Sequence, residues 1–383
     1  MPEAYSPLES AAIRGDFPAL EDYTFLNAAG MTPLPAPARD AMNAMLHEMC
    51  ESAYVHMDRW AGAMRHARTA AADLLGAGED EIAFVRNTSE GVSRVASGLR
   101  FEPGDEVIIN DIEFPSNVYP WLNLGRKGVV VKTVRNVEGR VTPDMIAAEV
   151  TPRTRVVAIS SAQWLTGYRA DLAALGQMAH ERGFHLFVDA IQTAGAFPLD
   201  VRRLNISFAA FGCFKWMCGP VGTGIFYCAR ERLEDLDLTS VGWNTVKNSS
   251  DYATIDFTLR DTAERFEEGS PNGPGIAGLL ESIRLVTSRG VERNGAQILE
   301  LTDYLAEALL SRGCRILSPR AHEAEKSGIL VFMPPPGRDV DQLLRRLADE
   351  KILVIKRMGG VRVSPHFFNT TEDIDRLIDA VGR

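Results

Sequence analysis

The sequence predicts an α/β protein with a mostly parallel central sheet in a large domain and a smaller α/β domain towards its C-terminal end. Three observations carry this expectation. From about residue 80, short apolar runs alternate with amphipathic stretches, the pattern of βαβ units laid into a parallel sheet. After about residue 240 the periodicity changes to long helical patterns and then to short strands between helices. The chain has 383 residues, enough for two domains at roughly 100–200 residues each. The expected division is a large domain over 20–245 and a small one built from 1–19 together with 246–383.

The strands expected in the first part are 81–85, 106–109, 129–134, 156–160 and 185–189. Between them, 89–99, 117–124, 143–149 and 172–182 carry apolar residues at helical spacing. In the last of these, Leu172, Leu175, Met178 and Ala179 recur at helical spacing, and Gly183 is placed to stop the helix. The run 208–216 reads as an apolar strand ending in a lysine, followed by a Pro/Gly turn and the apolar run 225–228. A loop-rich stretch over 242–274 leads to helices at 275–289 and 292–312. Strands at 329–333, 353–356 and 361–364 then alternate with helices at 340–350 and 372–381.

Composition excludes several functions. With 41 Lys+Arg against 51 Asp+Glu the net charge is −10. The densest basic groupings are pairs, Arg345-Arg346 and Lys356-Arg357, so the footprint for nucleic acid or an anionic membrane is missing. No apolar run reaches the roughly 18 residues of a membrane span. The first residues carry acids and prolines where a signal peptide needs a basic start and an apolar run. The five cysteines form no CxxC pair and have no histidine at zinc spacing, so no metal site is expected. They read as thiols of a reducing compartment, and the expected location is the cytoplasm.

Three local features bear on chemistry. Asn87-Thr88-Ser89-Glu90-Gly91 follows the first strand of the alternating region. It is either an ordinary Thr/Ser helix cap or a helix N-terminus that attracts a phosphate. It lacks a P-loop lysine and the GxGxxG spacing, so an ATPase or NAD enzyme is not supported. Asp189 ends what should be a central buried strand, where a carboxylate needs a cation, strong donors or a cap role. Lys215 follows the apolar run 208–214. It is either a snorkelling lysine or a desolvated one, whose lowered pKa suits imine formation. A phosphate cup, a strand-end carboxylate and a lysine together match what pyridoxal phosphate (PLP) asks of a protein.

The stretch DAIQTAGAFPLDV…FKWMCGPVGTGIFY resembles the signature of the aminotransferase class V family, which includes cysteine desulfurases, selenocysteine lyases, kynureninase and isopenicillin N epimerase. The likeness runs from FLNAAGMTPLP to RVSPHFFNTTEDID and implies the PLP-dependent transferase fold of type I. It further implies that Lys215 forms the Schiff base with PLP and that Asp189 partners the pyridinium nitrogen. Gln192 would bond the ring hydroxyl, Thr88 and Ser89 the phosphate, and Phe114 would stack on the ring or else pack as a core aromatic. Arg362 would clamp the substrate carboxylate, and Trp164 either lines the substrate pocket or packs in the core. Arg265–Asn272 resembles the segment through which Ser270 would reach the phosphate of a neighbouring subunit, implying a homodimer with shared active sites.

The chain departs from the family pattern in three places. Gly212-Cys213-Phe214 precedes Lys215 where Ser-Gly-His is frequent, and no histidine stands near Ser161. Phosphate contacts would then rest on Thr88, Ser89 and Ser270, and acid–base work on Lys215. The reactive-cysteine loop of persulfide-forming desulfurases is absent, since 355–362 runs straight through without a cysteine. The resulting expectation is a PLP enzyme acting on a small amino acid. Cα deprotonation would be followed by lyase-type cleavage of a C–S or C–Se bond, with transamination and epimerisation as alternatives and a catalytically silent PLP-binding dimer as the non-enzyme reading.

Overall fold

The computed structural model describes residues 5–382. Its strands in chain order are β1 (Thr24–Phe25), β2 (Ile82–Val85), β3 (Glu106–Asn110), β4 (Val130–Val134), β5 (Thr154–Ser160), β6 (His185–Asp189) and β7 (Phe208–Gly212). They continue as β8 (Gly224–Cys228), β9 (Arg315–Ile316), β10 (Leu330–Met333), β11 (Ile352–Leu353), β12 (Ile355–Arg357) and β13 (Gly360–Val363).

β2 to β8 form one sheet in the order β2-β8-β7-β6-β5-β3-β4, with β6 at its centre. Strands β4, β3, β5, β6 and β7 run parallel, while β8 is antiparallel to both β7 and β2. All residues of β6, β7 and β8 are buried, as expected of strands covered on both faces. Helix Leu172–Arg182 matches its expected span. Asp171 accepts from the Ala174 N–H at 3.0 Å at its start, and Gly183 ends it at φ 77°, a left-handed cap that glycine adopts without strain.

Several expectations need correction. The run 208–216 is not a strand throughout: β7 ends at Gly212, and Lys215 stands in the turn beyond it. The helix expected over 117–124 is broken into 3₁₀ turns Pro115–Asn117 and Asn123–Lys127 around Tyr119–Leu122, because Pro115 and Pro120 lack N–H donors. The expected strand 353–356 is two short strands serving different sheets: β11 pairs in parallel with β1, and β12 pairs with β13.

Before residue 80 the pattern reading found no elements, yet long helices Ala36–Ser52 and Met57–Leu75 lie there. They pack against helix Gly273–Thr287, whose Leu279 and Ile283 enter the core under the seven-stranded sheet. Leu26 instead joins the core formed by helices Val291–Ser311 and Thr371–Gly382 and the antiparallel sheet β12-β13-β10-β9. Helix 273–287 thus packs with helices 36–52 and 57–75, while Leu26 packs with the C-terminal helices and sheet. Among the described residues no helix is long and apolar enough to cross a membrane.

Candidate active site

The carboxyl ends of β5, β6 and β7 open onto a cavity of about 240 Å³, the place where open α/β sheets gather their chemistry. Thr88, Ser89, Phe114, Trp164, Asp189, Gln192, Lys215 and Arg362 all line it. Ser270 does not. It lies exposed beside Gly222–Gly224 in a neighbouring cavity of about 440 Å³.

At the helix end of the cavity, the capping question has a definite answer. The cap of helix Thr88–Gly98 is Asn87, whose Oδ1 accepts from the Glu90 N–H at 3.0 Å. Thr88 and Ser89 are therefore the first two helical residues, whose N–H groups have no acceptor within a helix. Thr88 Oγ1 accepts from the Gly212 N–H at 2.9 Å, and Ser89 Oγ bonds Ser116 Oγ at 2.8 Å. This leaves free backbone amides, with the Thr88 hydroxyl proton beside them, at the positive end of a helix dipole, which suits a phosphate. The helix reaches β7 closely because residue 91 is glycine: an added Cβ there would overlap Ala210 Cβ. Gly91→Val is expected to lower stability by about 1–3 kcal/mol, the cost of overpacking, and to loosen PLP. Thermal unfolding with and without PLP reads both effects, and identical curves for parent and variant would refute this account of how the helix is seated.

Asp189 is buried at the end of β6, and its Oδ1 accepts from the Ile191 N–H at 3.0 Å. Among the described residues, no Lys or Arg nitrogen comes within ion-pair distance of it. Burial, and secondarily the nearby Glu113 carboxylate, push its pKa well above the usual carboxylate range. A buried acid in this state gains most from a cationic N–H partner.

Lys215 is also buried, and burial lowers its amine below the usual lysine range, with Asp189 opposing and the Arg362 and Arg357 charges adding to the effect. Its Nζ lies 5.6 Å from the Phe114 ring centroid. Its backbone is held firmly: the Lys215 carbonyl accepts from Thr32 Oγ1 at 2.6 Å and from the Cys218 N–H at 2.9 Å. The next carbonyl, of Trp216, lies 3.1 Å from His366 Nε2. Because His366 Nδ1 accepts from the Phe367 N–H at 2.7 Å, Nε2 carries the proton and donates to Trp216. Burial pushes this imidazole down to about 3, so it stays neutral.

Gln192 uses Oε1 to accept from Trp216 Nε1 at 2.9 Å and donates one amide hydrogen to the Ala29 carbonyl at 3.2 Å. One amide hydrogen remains for a ligand. Phe114 is 40% exposed, which rules out a place in the core. It meets Trp164 edge to face at 5.4 Å, so Trp164 belongs to the cavity wall as well. Both rings ride on loops tied by Glu113, a buried residue missed by sequence reasoning. Its carboxylate accepts from the side chains of Asn110, Asn117 and Gln163, and from the N–H and hydroxyl of Ser160.

Arg362 is buried on β13. It donates to the Trp164 carbonyl at 3.0 Å and to Asn27 Oδ1 at 3.1 Å, while its Nε is buried without an acceptor. No carboxylate of the described chain pairs with it. Its pKa is lowered to about 10, chiefly by burial and then by Arg357. An unpaired guanidinium of this kind is a ready fork for a carboxylate. Arg357 and Ser116 also line the cavity and were likewise missed. The signal for Arg357 was present in the Met-Gly-Gly turn that brings it back beside Arg362.

The donor set fits PLP: hydroxyls and free amides for its phosphate, a buried acid without a cationic partner for its ring nitrogen, and an amine for its aldehyde. Fold and site together define a PLP-dependent enzyme of fold type I. The chain belongs to the aminotransferase class-V family, whose sequence profile matches residues 24–377. It is 34% identical to a probable cysteine desulfurase of Methanothermobacter thermautotrophicus, with 95% of each chain covered. It is 30% identical to isopenicillin N epimerase of Streptomyces clavuligerus, with 93% of each covered. Among solved structures, the apo cysteine desulfurase of Thermococcus onnurineus NA1 superposes with a TM-score of 0.88 at 25% identity, covering 100% of this chain and 98% of that one. The protein is therefore a PLP-dependent enzyme of amino-acid lyase or transferase chemistry.

Proposed function

We propose that the enzyme cleaves the bond from Cβ to sulfur or selenium in a small amino acid and releases the leaving group to solution. The observation that carries this reading is the joint presence on one cavity of a buried amine, Lys215, and a buried guanidinium, Arg362, neither of them in an ion pair with a carboxylate of the described residues. Bound there, PLP supplies the electron sink that makes the Cα–H of an amino acid acidic. Arg362 holds the substrate carboxylate and fixes the orientation of Cα. Lys215, with its amine held below the usual range by burial, holds the cofactor's aldehyde and takes the Cα proton once free.

With PLP bound, Asp189 would keep the ring nitrogen protonated, and Gln192 would donate its remaining amide hydrogen to the ring hydroxyl. Phe114 would cover the ring face, Thr88 and Ser89 would hold the phosphate, and Trp164 would wall the substrate side. The β12–β13 hairpin closes directly through Met358 and Gly359. Cys50 is exposed and the other four cysteines are buried, and none of the five lines the cavity, so no thiol of this chain is placed to receive sulfur. Among the described residues of one copy, Lys215 is the one base on the cavity beside the ring-side Asp189, which disfavours epimerisation through two opposed bases of a single chain. We further propose a homodimer in which Ser270 reaches the phosphate site of a second copy, and a cytoplasmic location in keeping with free thiols.

The test mixes PLP-loaded protein with single amino acids in deuterated water without any keto acid, following products by mass. A keto acid, ammonia and an expelled thiol or selenide, with turnover beyond one equivalent, is the expected result. One equivalent of keto acid with aminated cofactor would make the enzyme a transaminase, and Cα deuterium alone an epimerase.

A further inference from the structure

Arg357 stands on the cavity wall with Arg362. It ends β12, and a turn through Met358 and Gly359, at φ 51° and 73°, returns the chain to β13. Across the hairpin Ile355 faces Arg362, and Arg357 faces Gly360. Alternate residues of a strand share a face, so Arg357 and Arg362 project from the same face as diagonal neighbours.

The guanidinium carbon of Arg357 lies 5.3 Å from the Trp164 ring centroid, close enough for the ring to hold its plane. Nη1 donates to the Lys356 carbonyl at 2.7 Å, while Nε is buried and has no acceptor. Arg362 Nε and Trp164 Nε1 are also buried without acceptors. Buried donors are almost always paired, yet three orphaned ones stand on this single wall. Among the described residues, the cavity carries three cationic side chains, Lys215, Arg357 and Arg362, against one acid, Asp189. An α-carboxylate on Arg362 answers one of the two arginines and leaves the other without an anion.

We propose that Arg357 determines specificity by receiving a second acidic group, carried on the side chain of the amino-acid substrate. This rests on the function proposed above, which gives Arg362 the α-carboxylate. The substrate class is then an amino acid with a carboxylate or comparable anion beyond Cβ, held between Arg357 and the indole N–H of Trp164.

The experiment measures dissociation constants from the change in absorbance of the bound cofactor in the PLP-loaded protein. The probes are matched in shape and differ in charge: L-aspartate against L-asparagine, and L-glutamate against L-glutamine. The acid of at least one pair is expected to bind tighter than its amide by about 10- to 100-fold, the range of a charged hydrogen bond. Arg357→Gln should bring that ratio close to one, and Arg357→Lys, which keeps the charge, should retain more of it. No acid preference in the parent, a ratio that persists in Arg357→Gln, or an equal loss in both variants overturns the inference. A bound cofactor that responds to no amino acid at all overturns the proposed function and this inference with it. A response without acid preference overturns the inference alone.

Discussion

Lys215→Ala is expected to remove turnover almost entirely, by about 10⁴-fold or more, since one amine serves both as the cofactor's covalent anchor and as the base. The absorbance of lysine-linked PLP should vanish with it, while PLP held by the phosphate site and Asp189 can still bind. The fold should survive. Lys215 is buried without an ion-pair partner, and its backbone position is set by Thr32, Cys218 and the Trp216–His366 contact rather than by its side chain. Turnover should also depend on pH in a definite sense. The base form of Lys215 is populated at lower pH than for an ordinary lysine, because burial disfavours its charge. The acid limb of the rate profile should accordingly lie below the ordinary lysine range. A variant that keeps its rate would transfer the chemistry to another group, and an unchanged cellular role in Lys215→Ala would favour a catalytically silent PLP-binding dimer.

Asp189→Asn should have the next largest effect, and its signature is a split in sign. In the PLP-loaded enzyme the substitution removes the anion facing the ring nitrogen. Breaking a buried pair costs about 3–5 kcal/mol, or from about 10²-fold to several thousand-fold in rate or affinity. In the apoprotein the carboxylate has no ion-pair partner and its pKa is raised by burial, so the neutral amide should leave stability equal or higher. The linkage follows from the same shift. A carboxyl whose folded pKa is raised contributes stability that is present below its unfolded pKa and is lost as pH rises through the folded one. The apo parent should thus lose stability as pH climbs from the ordinary carboxylate range to the raised folded value, and Asp189→Asn should flatten that slope. Thermal unfolding of both forms at several pH values measures it. A loss of apo stability equal to the holo loss would assign Asp189 a packing role instead.

Much of this site could be read one residue at a time. Asp189 and Lys215 stood out because an acid and a lysine beside long apolar runs are chemically expensive, and Thr88-Ser89 because hydroxyls follow a strand. What pattern reading missed has physical causes. Helices 36–52 and 57–75 bury few residues each, among them Ala38 and Met45 in the first and Ala67, Ala71 and Ala72 in the second. Their packing on helix 273–287 therefore leaves a faint periodicity. Glu113 gave no signal, because a buried acid satisfied by neutral donors is indistinguishable in sequence from an exposed one.

The sequence by itself determined the alternation that builds the parallel sheet, the strand end bearing Asp189, the lysine beyond β7 and the family. These rest on local patterns of side-chain period and composition, which act within a few residues of each other. Only the tertiary structure decided that Asn87 rather than Thr88 caps the helix and that Ser270 stands outside the Lys215 cavity. It alone also showed that Arg357 joins Arg362 and Trp164 as a wall of unpaired donors. Those outcomes depend on which groups remain without partners after distant segments pack, and hydrogen-bond satisfaction between residues hundreds of positions apart leaves no periodic trace in the chain.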